Sequence, residues 1–138
     1  MARIMFVCKK NSRRSQMAEG FARTLGGDNV QVKSAGLESS FVDPLTVQVM
    51  QEVGIDISQQ ESKPLSNFHA EDFDAVISLC GCGVNLPPEW VTRDYFADWQ
   101  LDDPEGGDLD TFRRIRDQVK ERVVQLLQEY GVSPSPAS

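Results

Sequence analysis

The stretch Arg3-Ile4-Met5-Phe6-Val7-Cys8-Lys9-Lys10-Asn11-Ser12-Arg13-Arg14-Ser15 decides the fold. Its first five residues form an apolar run that reads as a buried strand. Beyond it Met17, Ala18, Phe21, Ala22 and Leu25 recur with the spacing of a helix face. Cys8 therefore stands at the floor of a strand-to-helix loop. The N–H groups of such a loop and the N-terminus of the helix converge on a concave anion site, and the same donors suit a negatively charged sulfur. A tetrahedral oxyanion is expected against the Cys8 thiol, surrounded by Lys9, Lys10, Asn11, Ser12, Arg13 and Arg14.

Outward from this loop, the first helix ends near Gly26-Gly27, and Val30-Gln31-Val32-Lys33-Ser34 alternates like a strand. Asp43-Pro44 offers an N-cap followed by proline at the first helical position. A helix is expected from there to Val53, stopped by Gly54, with Leu45, Val49, Met50 and Val53 on its buried face. Phe73-Asp74-Ala75-Val76-Ile77-Ser78-Leu79 reads as a second buried strand that delivers Cys80 at its end, so two cysteines follow strand ends. Residues 81–88 read as a loop, Tyr95-Phe96 as a short strand, and Asp102-Asp103-Pro104-Glu105-Gly106-Gly107 as a turn-rich connection. Leu109, Phe112, Ile115, Val119, Val123, Leu126 and Tyr130 then recur at steps of three and four, predicting a long amphipathic helix that stops at Gly131.

Strands alternating with helices imply a three-layer α/β fold with a mainly parallel central sheet. Ligands of such sheets bind beyond the C-terminal ends of the strands, where Cys8 and Cys80 both fall. Residues 1–131 are expected to form one domain, and the tail 132–138, rich in serine and proline, to be disordered.

A net charge of −7 argues against nucleic acid or an anionic membrane as partner. Lys9, Lys10, Arg13 and Arg14 reverse that sign locally, a pattern suited to a small anion rather than a polyanion; a solvated charge run is the plainer alternative. No apolar stretch approaches the roughly 18 residues that span a bilayer, and no leader pattern opens the chain, so a cytoplasmic protein is expected. Three cysteines suit catalytic or redox thiols in a reducing compartment better than a disulfide scaffold. With His69 the single histidine and no zinc-like spacing among the cysteines, no metal site is expected.

The interval from Cys8 to Arg14, followed by Ser15, resembles the signature of the low-molecular-weight protein tyrosine phosphatase family. More closely, the run from Cys8 through Gln16-Met17-Ala18-Glu19-Gly20 resembles the arsenate reductases built on that fold. Ser34-Ala35-Gly36, Asp56-Ile57-Ser58, the strand ending at Cys80, Pro87-Pro88 and Asp102-Asp103-Pro104 follow in the family's order to about residue 130. The resemblance implies a low-molecular-weight phosphatase-like fold and assigns Cys8 as nucleophile and Asp103 as general acid, with Asp102 its competitor. Arg14 offers a planar fork to two oxygens of the anion. Ser15 is placed to donate to the Cys8 sulfur, or to cap the helix. Asn11 suits a left-handed backbone and can tie the loop internally.

The same resemblance implies a relay through Cys80 and Cys82 that reduces arsenate to arsenite. No bound cofactor is expected; the electrons come from an external thiol, either glutathione with glutaredoxin or thioredoxin. A phosphatase acting on phosphotyrosine or small esters is the alternative enzyme, and a redox-sensing module the non-enzymatic one. Glu105-Gly106-Gly107 stands after Asp-Pro where phosphatase members usually carry a tyrosine, which weakens the phosphatase alternative. Three departures matter. A single glycine separates Cys80 from Cys82, a short and strained disulfide loop that favours glutaredoxin over thioredoxin. Arg13 stands where relatives often have a cysteine. Lys63 stands where potassium-binding relatives, which use Asn11, Glu19 and Ser34, carry aspartate; either its ammonium replaces the cation or it is a surface lysine.

Overall fold

In the computed structural model, which describes residues 2–38, 40–79 and 86–131, four strands form one sheet in the order β2-β1-β3-β4. They are β1 (Ala2–Cys8), β2 (Val30–Gly36), β3 (Ala75–Ser78) and β4 (Tyr95–Asp98), and every pairing is parallel. Between and after them run α1 (Arg14–Gly26), α2 (Pro44–Gln51), a single turn α3 (Pro88–Val91) and α4 (Leu109–Glu129). The α/β architecture expected from the alternation of elements is thus present.

The pleat of the central strands sorts their side chains onto two unequal faces. Ile4 and Phe6 of β1 with Ala75 and Ile77 of β3 join Met17, Phe21 and Leu25 of α1 and Phe112, Ile115, Val119 and Val123 of α4 in the larger core. Met5, Val7 and Val76 point the other way, against Leu65, Phe73, Leu86 and Trp90. That second layer is made of short turns and α3 rather than long helices. Trp90 and Trp99 are 3% and 6% exposed, so both pack in the interior as the sequence suggests. Because β1 and β3 are covered on both sides they read as unbroken apolar runs, whereas β2 alternates buried Val30 and Val32 with exposed Gln31 and Lys33.

Helix boundaries follow their caps. Asp43 caps α2, its side chain accepting the N–H of Leu45 at 2.9 Å. The helix ends at Gln51, two residues short of Val53. Its covered residues are Thr46, Val49 and Met50, with Leu45 and Val53 only half-buried. Asp108 caps α4 by accepting the N–H of Thr111, and Gly131 closes it with φ +73°. Arg116, on the face of α4 that meets α2, is buried and donates to the carbonyl of Val49 at 3.0 Å and to Glu52 at 2.8 Å. No helix among the described residues is long and apolar enough to cross a membrane.

Candidate functional site

The C-terminal end of β1 opens on a cleft of about 90 Å³, lined by Cys8, Lys9, Lys10, Ser12, Arg13, Arg14, Asp103 and Glu105. Strand β1 delivers Cys8 and α1 begins at Arg14, so the loop between them bends around the opening. Asn11 turns the loop with φ +52°, the left-handed conformation its residue type tolerates. Behind the loop, Gly36 at the end of β2 pairs with Cys8. A Cβ on Gly36 would lie 2.7 Å from the Asn11 nitrogen and in collision with the Glu38 carbonyl, so only glycine permits this approach.

Cys8 is 3% exposed and its Sγ lies 2.8 Å from Ser15 Oγ. Either atom can be the donor in that bond, and the groups behind it fix the Ser15 hydroxyl in place. The N–H of Lys63 donates to Asn11 Oδ1 at 2.9 Å, which fixes the amide so that Asn11 Nδ2 donates to Ser15 Oγ at 2.7 Å. Ser15 Oγ accepts one hydrogen there and keeps both a proton to donate and a second lone pair, so it can give a hydrogen to the Cys8 sulfur or take one from it. Ser15 lies inside α1, whose N-cap position is Arg13 and has no side-chain cap, so the capping alternative for Ser15 is excluded.

Arg14 is buried and tethers two strand ends: its Nη1 donates to the carbonyls of Leu101 at 2.8 Å and Leu79 at 3.3 Å. Nη2 lies 3.5 Å from Asp103 Oδ2. Its Nε and the hydroxyl of Ser12 are buried with no hydrogen-bond partner among the described residues. Orphaned buried donors are costly, and here they belong to residues that line the cleft. An oxyanion meeting the Nε and Nη2 edge of the guanidinium would satisfy both nitrogens in the two-pronged geometry that carboxylates and phosphates share.

Asp103 stands at the cleft and Asp102 does not line it. Sequence reasoning missed the contributions of Glu105, which also lines the cleft, and of Asp43, whose Oδ2 accepts Arg13 Nε at 2.8 Å. The signals available were weak: an acidic residue in a turn and a helix cap. Cys80 and Cys82 lie outside the described residues, although Leu79, immediately before Cys80, is bonded to Arg14.

Of the two readings of Lys63, a direct bond from its ammonium to Glu19 is not the arrangement seen. Glu19, 3% exposed, accepts hydrogen bonds from Ser34 Oγ and from Arg23 one turn along α1. The Lys63 ammonium, pulled below its ordinary pKa by burial, donates instead to the Glu61 carbonyl at 2.7 Å. A guanidinium thus stands beside the buried carboxylate, which does not suit a potassium ion there. No cluster of three or more histidine, cysteine, aspartate or glutamate side chains suited to a metal occurs among the described residues.

A thiol on the floor of a cationic cleft, at the C-terminal edge of a parallel sheet, defines an oxyanion-binding fold of the phosphatase-like class. Residues 3–133 match the family of low molecular weight phosphotyrosine protein phosphatases, and the chain belongs to that family. Glutaredoxin arsenate reductase from Synechocystis sp. is 64% identical over 127 residues, covering 92% of this chain and 97% of its own length. Arsenate reductase 1 from Staphylococcus epidermidis is 43% identical over 120 residues, with coverages of 85% and 89%. A solved arsenate reductase in a phosphate-binding state superposes with a TM-score of 0.89 at 63% identity, covering 94% of this chain and 98% of that one. An arginine phosphatase from Geobacillus stearothermophilus, 24% identical with a TM-score of 0.82 and coverages of 95% and 94%, shares the fold.

Proposed function

We propose that the protein reduces arsenate to arsenite, with Cys8 as the attacking thiolate and a thiol donor of the glutathione and glutaredoxin type as the source of electrons. The observation that carries this is the Cys8 sulfur, hydrogen-bonded to Ser15 and set in a cleft with the unpartnered Arg14 Nε. The identity to the Synechocystis enzyme supports both the substrate and the donor.

In the proposed sequence, Cys8 forms an S–As bond as one arsenate oxygen leaves, protonated by Asp103. Cys80 then attacks the Cys8 sulfur. The electron pair of the S–As bond passes to arsenic, arsenite departs, and a Cys8–Cys80 disulfide remains. Cys82 attacks Cys80, which frees Cys8 as a thiolate and leaves a Cys80–Cys82 disulfide. Two electrons from the external thiol reduce that disulfide, matching the two gained by arsenic. Lys9, Lys10, Ser12 and Arg13 add charge and donors around the anion, while Asn11 holds Ser15 from behind. A donor of this kind places the enzyme in a reducing compartment such as the cytoplasm.

The test is arsenite production by the purified chain with glutathione plus glutaredoxin, or with thioredoxin plus its reductase. Cys8→Ser should abolish turnover together with any hydrolysis of phosphate esters, whereas Cys80→Ser and Cys82→Ser should abolish reduction alone. Full arsenate turnover in both of the latter variants would overturn the relay.

A further inference from the structure

We propose that Arg13 is a positioning residue that latches the segment carrying Asp103 over the cleft and anchors the latch to the N-terminus of α2. The inference rests on the assignment of Asp103 as the proton donor to the departing oxygen.

Arg13 occupies the N-cap position of α1 with extended φ −128° and no capping bond, so its side chain is not engaged by its own helix. That side chain is nevertheless only 12% exposed, because acidic groups from two other segments cover it. Nε donates to Asp43 Oδ2 at 2.8 Å, Nη1 reaches Glu105 Oε2 at 3.4 Å, and Nη1 lies 3.9 Å from Asp103 Oδ1. Asp43 is itself fixed twice, by accepting the Leu45 N–H and by donating its own N–H to the Ser12 carbonyl at 3.1 Å. The guanidinium therefore spans from a rigid helix cap to an exposed turn, and its planar fork reaches both at once.

The two oxygens of Asp103 are divided by this arrangement. Oδ1 accepts the Glu105 N–H at 3.0 Å and faces Arg13, while Oδ2 faces Arg14. With Oδ1 committed, Oδ2 is the oxygen left at the anion site, and it is the one that handles the proton. A general acid acts only when its proton-bearing atom is within hydrogen-bond reach of the leaving group, so fixing the carboxylate rotamer is a direct contribution to rate. Arg13 does this through Asp103 and Glu105, without itself exchanging a proton.

The experiment measures arsenite production with glutathione and glutaredoxin, inhibition by inorganic phosphate, and amide hydrogen exchange, all on the full chain. Arg13→Ala should lower kcat by roughly tenfold or more, as expected when a general acid loses its alignment. The phosphate inhibition constant should move less, by about threefold at most. Combined with Asp103→Asn, Arg13→Ala should add almost nothing, since the two act through one atom. Arg13→Lys should restore only a minor part of kcat, because an ammonium cannot bridge Asp43 and the turn together. Asp43→Asn keeps an acceptor for the Leu45 N–H and should still lower kcat a few-fold. Independent, multiplying effects of Arg13→Ala and Asp103→Asn, or a loss confined to phosphate binding, would overturn the latch. If the wild-type chain makes no arsenite, the reaction assigned above fails; the latch is then judged by exchange alone. Arg13→Ala must speed exchange at the amides of Glu105 and Gly107, and unchanged rates there reject it.

Discussion

On one side of the cleft Asn11, Ser12 and Ser15 are at most 1% exposed and are tied through side chains and backbone to α1, the N-cap of α2 and the segment at Lys63. On the other, Asp103 and Glu105 are 39% and 53% exposed and are held to the first side by ion pairs with Arg13 and Arg14. One wall is part of the hydrogen-bonded core, and the other is docked on it by charge. Walls of the first kind open only with global unfolding, whereas exposed turns open locally at small cost. The difference teaches that, on the proposed function, the anion-facing loop is built into the fold, while the carboxylate proposed to deliver the proton depends on a contact that can be made and broken.

Substitutions aimed at the first wall should have the largest effects. Gly36→Ala forces a Cβ against the backbone of Asn11 and Glu38, and backbone cannot yield as a flexible side chain can. A loss of about 2–3 kcal/mol in stability is expected from such overpacking, with anion binding impaired, measurable by denaturant unfolding and phosphate titration. An unchanged midpoint would mean that the loop stands clear of β2. Next comes Ser15→Ala, which removes the hydroxyl bonded to Cys8 and leaves Asn11 Nδ2 buried without its acceptor. About 1–3 kcal/mol of stability should be lost. Turnover should fall roughly tenfold with KM little changed, since the lost bond supports the nucleophile. Retained kcat would detach Ser15 from the chemistry.

The docked wall should answer more mildly. Glu105→Gln removes a negative charge from the rim of the cleft and should lower KM for arsenate by about two- to fivefold, an advantage that shrinks as salt rises. A KM that rises instead would show that Glu105 serves anion binding only by orienting Arg13.

The smallest effect belongs to a pair remote from both walls and serves as their control. Arg113, with help from Arg116, holds the Glu52 carboxyl down at about 2, against an ordinary value of 4.5. A carboxylate whose folded pKa is depressed contributes stability that is present above the ordinary value and is lost as pH falls toward the folded one. Glu52→Gln should therefore lower Tm modestly at neutral pH, with the gap to the wild type closing between 4.5 and about 2 and no change in kcat. A gap that persists at the acid end would assign the effect to packing of α2 on α4 rather than to charge.

The first wall was legible in the sequence because its residues are near neighbours: Cys8, Asn11, Arg14 and Ser15 fall within one strand-to-helix stretch, and residue type alone foretold the left-handed backbone of Asn11. The long helix was legible for the same reason, from the period of its apolar residues. What escaped lies far apart in the chain. Arg13 meets Asp43 across 30 positions and Glu105 across 92, and no local pattern announces such partners. The partner of Glu19 was missed for a different reason. Arg23 stands four residues after Glu19 on one helix face, a spacing that brings side chains together. The short turn α3 has too few residues for a period to show.

Arg14 carries one more consequence. Its bond to the Leu79 carbonyl ties the guanidinium proposed to meet the anion to the residue that precedes Cys80 in the sequence. The start of α1 and the end of the third strand are in this way joined by one side chain. On the function proposed above, an oxyanion that draws the Arg14 guanidinium toward itself would pull on the same bond to the Leu79 carbonyl.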